Sequence, residues 1–341
     1  MIRNLLATTA ATALITTPAY ADVRPQAGKV YENIVSNGSY KFLESKKGDA
    51  NRVTVRNAKL TVSRIGFQIN TLVKGFVLDR VTVAATKVNK GGDFPAGLVV
   101  GAGSGPSEVT VSDAEFSGFT MDQVPDKYTN GDGVDCSTRT ASLRISRTYL
   151  HDNSDGGLDT KCITVADDLT AARNYRNFRI WGQFTGTKLT SVDPRNAHVW
   201  ISGGAAQVVT IDRLVVKNTV NTASVLFIAS ELPVTVLVKA CEVAVLPGTL
   251  LQSGGKNARV TWGPTCLRDA KGYAINTAIM PAKAATAPAA PVPQIVDAGQ
   301  LLPDGKPDGL IKLGAKWAKV LGLKPNTIVR HLDGYRYQVV R

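Results

Sequence analysis

Three observations in the sequence predict an all-β chain built as a parallel β-solenoid. Short β-branched runs recur along the body, Gly and Asn mark the corners between them, and almost nothing before residue 300 has helical periodicity. One set of runs starts with VTVRNA at 53–58 and returns as LDRVTV at 78–83, VTVSDA at 109–114 and LRISRT at 143–148. It continues as VVTIDR at 208–213 and VTVLV at 234–238. Between these lies a second, mostly apolar set at 97–100, 133–136, 157–160, 178–181, 198–201, 225–228 and 249–251. The intervals run from about 20 to about 36 residues, and each suits one coil with a corner loop of variable length. A coil cannot bury its inward side chains alone, so it stacks on similar neighbours about 4.8 Å away. The low aromatic content, 6%, suits a narrow core of Val, Ile, Leu and Ala; a β-sandwich or jelly roll is the competing architecture.

The ends read differently. Arg3, an uncharged apolar stretch over 5–17 and the Pro18-Ala19-Tyr20-Ala21 site predict a signal peptide over 1–21, cleaved after Ala21. The mature protein is therefore expected in the periplasm or outside the cell, as a monomer. No later run approaches the ~20 apolar residues of a membrane span. The solenoid is expected over 22–280, followed by a stiff Ala/Pro-rich linker over 281–297. Residues 298–341 are expected to form a small basic α/β tail, either a glycan- or envelope-binding module or a cap. Its parts are an amphipathic helix over 309–323 and a hairpin turning at Asp333-Gly334.

Charge and cysteines narrow the class. The formal net charge is +13, which in an exported protein points to an anionic partner. No nucleic-acid-binding motif is present, so an acidic polysaccharide or an anionic envelope fits the compartment better. The four cysteines lack C-x-x-C spacing, which argues against zinc. Cys241 and Cys266 are about one repeat apart and suit a disulfide; Cys136 and Cys162 have similar spacing in a looser register.

The chemistry-bearing stretch is Asn130-Gly131-Asp132-Gly133-Val134-Asp135, followed by Asn153-Ser154-Asp155-Gly156-Gly157-Leu158-Asp159-Thr160-Lys161. Aligning Gly133-Val134-Asp135 with Gly157-Leu158-Asp159 gives a separation of 24 residues, a natural coil length. Strand alternation then turns Val134, Cys136, Leu158 and Thr160 inward and Asp135, Asp159 and Lys161 outward. Asp132 and Asp155 stand at the corner beside them. Stacked carboxylates repel unless a cation or a shared proton relieves them, and Ca²⁺ with oxygen ligands is the natural cation.

The segment over 153–159 resembles the N-S-D-D-G-[WF]-D segment of the calcium-dependent pectate lyases of polysaccharide lyase family nine. Residues 130–133 are similar to the segment carrying that family's first calcium aspartate. The resemblance implies a right-handed parallel β-helix of the pectin lyase-like kind, which cleaves polygalacturonate by β-elimination with Ca²⁺ held by aspartates of adjacent coils. Asp132, Asp155 and Asp159 match that pattern. Gly156 stands where the family has a second aspartate, with Asp135 able to compensate, and the later lysine-bearing segment is missing. Lys161, Arg179 and Arg195 are the substitutes for its base. The same segments are similar to the N-T-D-G and D-D motifs of polygalacturonase-type hydrolases, whose G-H-G and R-I-K signatures do not occur.

The leading expectation is an exported lyase of a uronate-containing polymer. Asp132, Asp135, Asp155 and Asp159 would be the metal ligands, and Lys161, then Arg179, the catalytic base or carboxylate neutraliser. Arg139, Arg144, Lys161 and Arg195 would bind substrate carboxylates, with Arg147 a further basic neighbour. Alternatives are a non-catalytic solenoid that binds glycan, and a hydrolase or epimerase on the same scaffold. His151 is a candidate base or a solvated side chain. His198 opens an apolar strand. Trp181 and Trp200 offer either sugar stacking or burial between coils.

Overall fold

A computed structural model describes residues 23–123, 128–203 and 207–275, with residue 324 and the backbone of Ile295–Asp297, Leu310–Lys312, Ile328–Asp333 and Arg336–Val340. The expected signal peptide and most of the expected linker lie outside these residues. The described body is all-β. One sheet connects 21 strands, and the only helical segments among the described residues are two single turns, Ser45–Lys47 and Ala102–Ser104. No helix among the described residues is long and apolar enough to cross a membrane.

Every pairing between named strands of that sheet is parallel, and partners lie about one sequence interval apart. One row runs Thr54–Ile69, Ala96–Val100, Asp132–Cys136, Gly156–Thr160, Arg176–Ile180, Ala197–Ile201, Ser224–Ile228 and Gln252–Gly254. Its alternate residues stack in register: Phe67, Leu98, Val134, Leu158, Phe178, Val199 and Leu226 are all buried. Each such side chain contributes about 1.5–3 kcal/mol through removal from water, so a one-residue slip of any strand is strongly opposed. A second row runs Phe76–Ala85, Glu108–Ser112, Ser142–Ser146, Ile163–Asp167, Phe184–Val192, Gln207–Lys217, Val234–Ala244 and Arg259–Trp262. Short strands at Glu115–Ser117, Tyr149–His151 and Leu169–Ala172 pair with one another in parallel as a third, shorter row.

The corners follow from backbone chemistry. Asn33, Asn57, Arg80, Asp113, Arg147 and Asp168 all have positive φ, and so do Asp152, Arg173 and Asp193 at a second set of corners. Asn and Asp tolerate this region best. The arginines there are held by the neighbouring corner: Arg147 donates to Asp113 at 2.7 and 2.8 Å, and Arg173 to Asp152 at 2.7 and 2.6 Å. Both expected disulfides are formed, Cys136–Cys162 and Cys241–Cys266. The first joins the row carrying the carboxylates to the residue just ahead of the next strand.

The tail differs from expectation where it is described. Leu310–Lys312, placed in a helix by the sequence, is a strand antiparallel to Ile328–Asp333. Ile311 faces Val329 in that register, so its backbone groups are satisfied across strands and not along a helix. Residues 313–323 lie outside the described residues. Ile295–Asp297, expected as the end of the linker, pairs antiparallel with Arg336–Val340, which also forms the expected hairpin with Ile328–Asp333.

Candidate functional site

Two of the carboxylates, Asp135 and Asp159, share one column of the first row, with Asp132 and Asp155 ahead of it in the chain. Glu44, Gln68, Val99, Asp135, Asp159, Arg179, Trp200, Phe227 and Ser253 are successive register partners. The pairing of Asp135 with Asp159 is the one that the 24-residue alignment predicts. Asp132 begins its strand beside this column. Its Oδ1 accepts the Gly156 backbone N–H at 2.7 Å, and the side chain is buried. A Cβ at Gly156 would sit 2.6 Å from that oxygen, so the glycine opens the space that the Asp132 carboxyl occupies. Gly131 is required for a different reason. Its φ is +128°, and a Cβ there would stand 2.2 Å from the Phe119 carbonyl oxygen.

Two arginines are built into the acidic group. Arg179 Nη1 donates to Asp155 Oδ2 at 2.9 Å and to Asp159 Oδ2 at 2.7 Å. Arg176 Nη1 donates to Asp155 Oδ1 at 2.5 Å, and the Tyr128 hydroxyl donates to Asp155 Oδ2. Asp155, 1% exposed, therefore has both oxygens engaged. Asp159 Oδ1 is buried without a partner among the described residues. The Arg179 guanidinium lies 4.8 Å from the Trp181 ring, 5.1 Å from Trp200 and 5.2 Å from Tyr128. That aromatic cage lets a buried cation keep favourable contacts on its faces. Trp200, itself buried, is thus covered by arginine, whereas Trp181 is half-buried.

Burial dominates the electrostatics. It raises the Asp132 carboxyl well above its usual range, reinforced by the charges of Asp155, Asp159 and Asp135. Burial also raises Asp135 and pushes Asp159 up to about 7, the latter against the pull of Arg179. Burial pulls the Arg179 guanidinium down, but the carboxylates of Asp159 and Asp155 more than offset it, so it stays a cation. Burial and the Asp155 charge raise the Tyr128 hydroxyl, which remains a donor.

The remaining expected residues divide. Lys161 Nζ donates to Ser137 Oγ at 3.3 Å and lies 5.8 Å from the Trp181 ring centre. Asp135 Oδ1 accepts from Ser137 Oγ at 2.7 Å, so Ser137 links it to Lys161. Arg195 donates to the carbonyls of Asn153 and Ser154 at 2.8 and 3.0 Å, and Arg139 to that of Trp181 at 3.3 Å. Arg144 is not brought to the group: it pairs with Thr110 and Val165 in the second row, because its run belongs to the other set of strands. Arg147 is at a corner with Asp113. His198 is buried and pushed down to about 3 by burial, with Nδ1 2.8 Å from Ser191 Oγ. His151 sits between Asp152 and Glu115 at 2.6 and 3.1 Å. Sequence reasoning missed Arg176 and Tyr128. Arg176 is the register partner of Gly156 and was legible from the 20-residue interval; nothing in the sequence marks Tyr128.

Asp132, Asp155 and Asp159 each offer an oxygen within 4.8 Å of the others, close enough for a shared cation. Ca²⁺ would need contacts of about 2.3–2.6 Å to those oxygens. Arg179 Nη1 already stands between two of them, and Asp135 is engaged elsewhere. The group as arranged does not fit Ca²⁺ without displacement of the guanidinium. Neither a protein-family model, nor a characterised protein, nor a solved structure matches the chain.

Proposed function

We propose that the protein is an exported right-handed parallel β-helix that cleaves a uronate-containing polysaccharide by β-elimination. The rows of parallel strands at one-coil intervals support the scaffold, and the two disulfides suit an oxidising compartment. The observation that carries the reaction is the column itself. A protonatable carboxyl, a fixed guanidinium and an amine lie on one sheet face within two strand positions of each other. An acidic polymer laid along that face meets positive charge at Arg179, Arg139 and Arg195.

In this reading Arg179 offsets the carboxylate charge of the bound uronate, which makes its C5 proton removable. Lys161, as the amine, takes that proton. The C5–H electron pair forms the C4–C5 double bond, and the C4–O4 bond breaks with its pair going to the leaving oxygen. Asp132, whose hold on its proton is strengthened by burial among carboxylates, protonates that oxygen. Arg179 is given the neutralising role and not the base, since its neighbours hold it charged.

A second reading, glycoside hydrolysis, is favoured by one observation: the Asp132 carboxyl, raised well above its usual range, stands beside Asp155, which accepts from two arginines. Incubation of purified mature protein with pectate, alginate and glycosaminoglycans separates the outcomes. Unsaturated ends support elimination; new reducing ends without unsaturation indicate hydrolysis. Binding without turnover would leave a glycan-binding solenoid.

A further inference from the structure

The resemblance of residues 153–159 to a calcium-dependent family and the geometry of those same residues disagree, and the disagreement has a physical content. We propose that Arg179 is a built-in cation that excludes divalent metal from the Asp132–Asp155–Asp159 group, and that its removal creates a metal site.

Position is the first argument. Arg179 Nη1 bridges Asp155 Oδ2 and Asp159 Oδ2 at 2.9 and 2.7 Å, so its nitrogen stands where an ion shared by those carboxylates would stand. Saturation is the second. The other oxygen of Asp155 is taken by Arg176 at 2.5 Å, and one oxygen of Asp132 by the Gly156 N–H at 2.7 Å. Retention is the third. Arg179 is 9% exposed and its guanidinium has aromatic rings at 4.8, 5.1 and 5.2 Å, so leaving would give up the carboxylates and the rings together. Arg179 reaches this place because it is the register partner of Asp159 one strand on. A shorter side chain there would leave three carboxylates with oxygens within 4.8 Å and one buried oxygen, Asp159 Oδ1, already lacking a partner among the described residues. That is a donor set for a hard cation. The inference concerns cation binding alone and does not depend on which reaction the site performs.

Terbium luminescence tests it, because Trp181 and Trp200 lie beside the guanidinium and would sensitise a bound lanthanide. Full-length mature protein is titrated with Tb³⁺, and the bound ion is then competed with Ca²⁺. Wild type should give no saturable signal that Asp159→Asn removes. Arg179→Gln should give one, with a Ca²⁺ dissociation constant on the order of 10⁻⁴ M or tighter. Arg179→Lys, which keeps a positive charge, should stay silent. Saturable wild-type binding that is lost in Asp159→Asn overturns the proposal, whether or not the Arg179 variants fold. Silence of a folded Arg179→Gln, checked by circular dichroism, overturns it as well.

Discussion

Asp132 is the residue whose protonation decides most about the site. Its carboxyl is buried, accepts one backbone N–H and faces three other carboxylates, so its neutral form is favoured in the folded chain. The sign of the consequence is fixed. A carboxyl whose folded pKa lies above its unfolded value of about 3.9 holds more protons folded than unfolded, so stability falls as pH rises through the interval between the two. Asp132, Asp135 and Asp159 all shift in this direction, with Asp159 at about 7. Asp132→Asn keeps an acceptor for Gly156 and removes the titration of the buried carboxyl. Its melting temperature should match wild type near pH 4 and exceed it near pH 7 by roughly 2–4 °C, the equivalent of about 1 kcal/mol. Thermal unfolding followed by circular dichroism across that range checks this; a lower melting temperature for the variant at pH 7 would contradict it. Residue identities in this group were largely legible. Asp135 and Asp159 were expected to stack, and they do, because hydrophobic alternation fixes which side chains share a face. Arginine reach was not legible, since which carboxylate a five-bond side chain finds depends on the packed surroundings.

The strands that carry the site are held together by close backbone approach. Gly66, Gly97, Gly133 and Gly157 occupy one register position on successive strands, followed by Asn177 and His198. A Cβ on Gly133 would lie 2.7 Å from the Gly157 carbonyl oxygen, and one on Gly157 2.6 Å from that of Asn177. Beside the column runs a buried amide ladder. Asn153 Nδ2 donates to Asn174 Oδ1 at 2.9 Å, Asn174 Nδ2 to Asn177 Oδ1 at 2.9 Å, and Asn177 Nδ2 to Ser191 Oγ at 2.8 Å. These amides bond to side-chain and backbone partners both within a coil and in the neighbouring one, so the corner ahead of Gly156–Thr160 is specified by hydrogen bonds. Gly157→Ala should destabilise by about 1–3 kcal/mol through overpacking, read as a lower melting temperature. Asn174→Ala should destabilise comparably, about 1–3 kcal/mol, by leaving buried partners unsatisfied. An unchanged midpoint in either variant would contradict the corresponding contact. Sequence reading took Gly and Asn as corner markers, which holds for the positive-φ asparagines. It did not see the internal ladder, because a buried amide and a turn amide look alike until the register is known.

For the whole molecule, the all-β character and the parallel pairing were legible from recurrence alone, since repetition survives variable intervals where strict periodicity does not. The first residues of the expected tail helix were misread: an apolar pattern of a few residues suits a helix face or a strand equally, and pairing with Ile328–Asp333 decides it. Covalent links tie the stack at two places. Cys136–Cys162 closes a 26-residue separation next to Asp135 and Lys161, and Cys241–Cys266 a 25-residue one further along. Replacing both Cys136 and Cys162 by Ala should lower stability by about 2–4 kcal/mol, on the order of 4–16 °C in melting temperature. A shift under about 1 °C would show that the stack needs no such link there.

Ion pairs along the body, such as Lys188–Asp168 and Lys239–Asp212, consume equal numbers of both signs and leave the net excess of +13 untouched. That excess suits an acidic polymer drawn to the sheet face. The most direct measurement is therefore product formation by purified mature protein on pectate, alginate and glycosaminoglycans, followed by ultraviolet absorbance of unsaturated ends, with Asp132→Asn and Lys161→Ala assayed alongside. The account predicts unsaturated product from at least one uronate polymer, lost by about a hundredfold or more in either variant. Absence of unsaturated product on every polymer, or full activity in both variants, would contradict it.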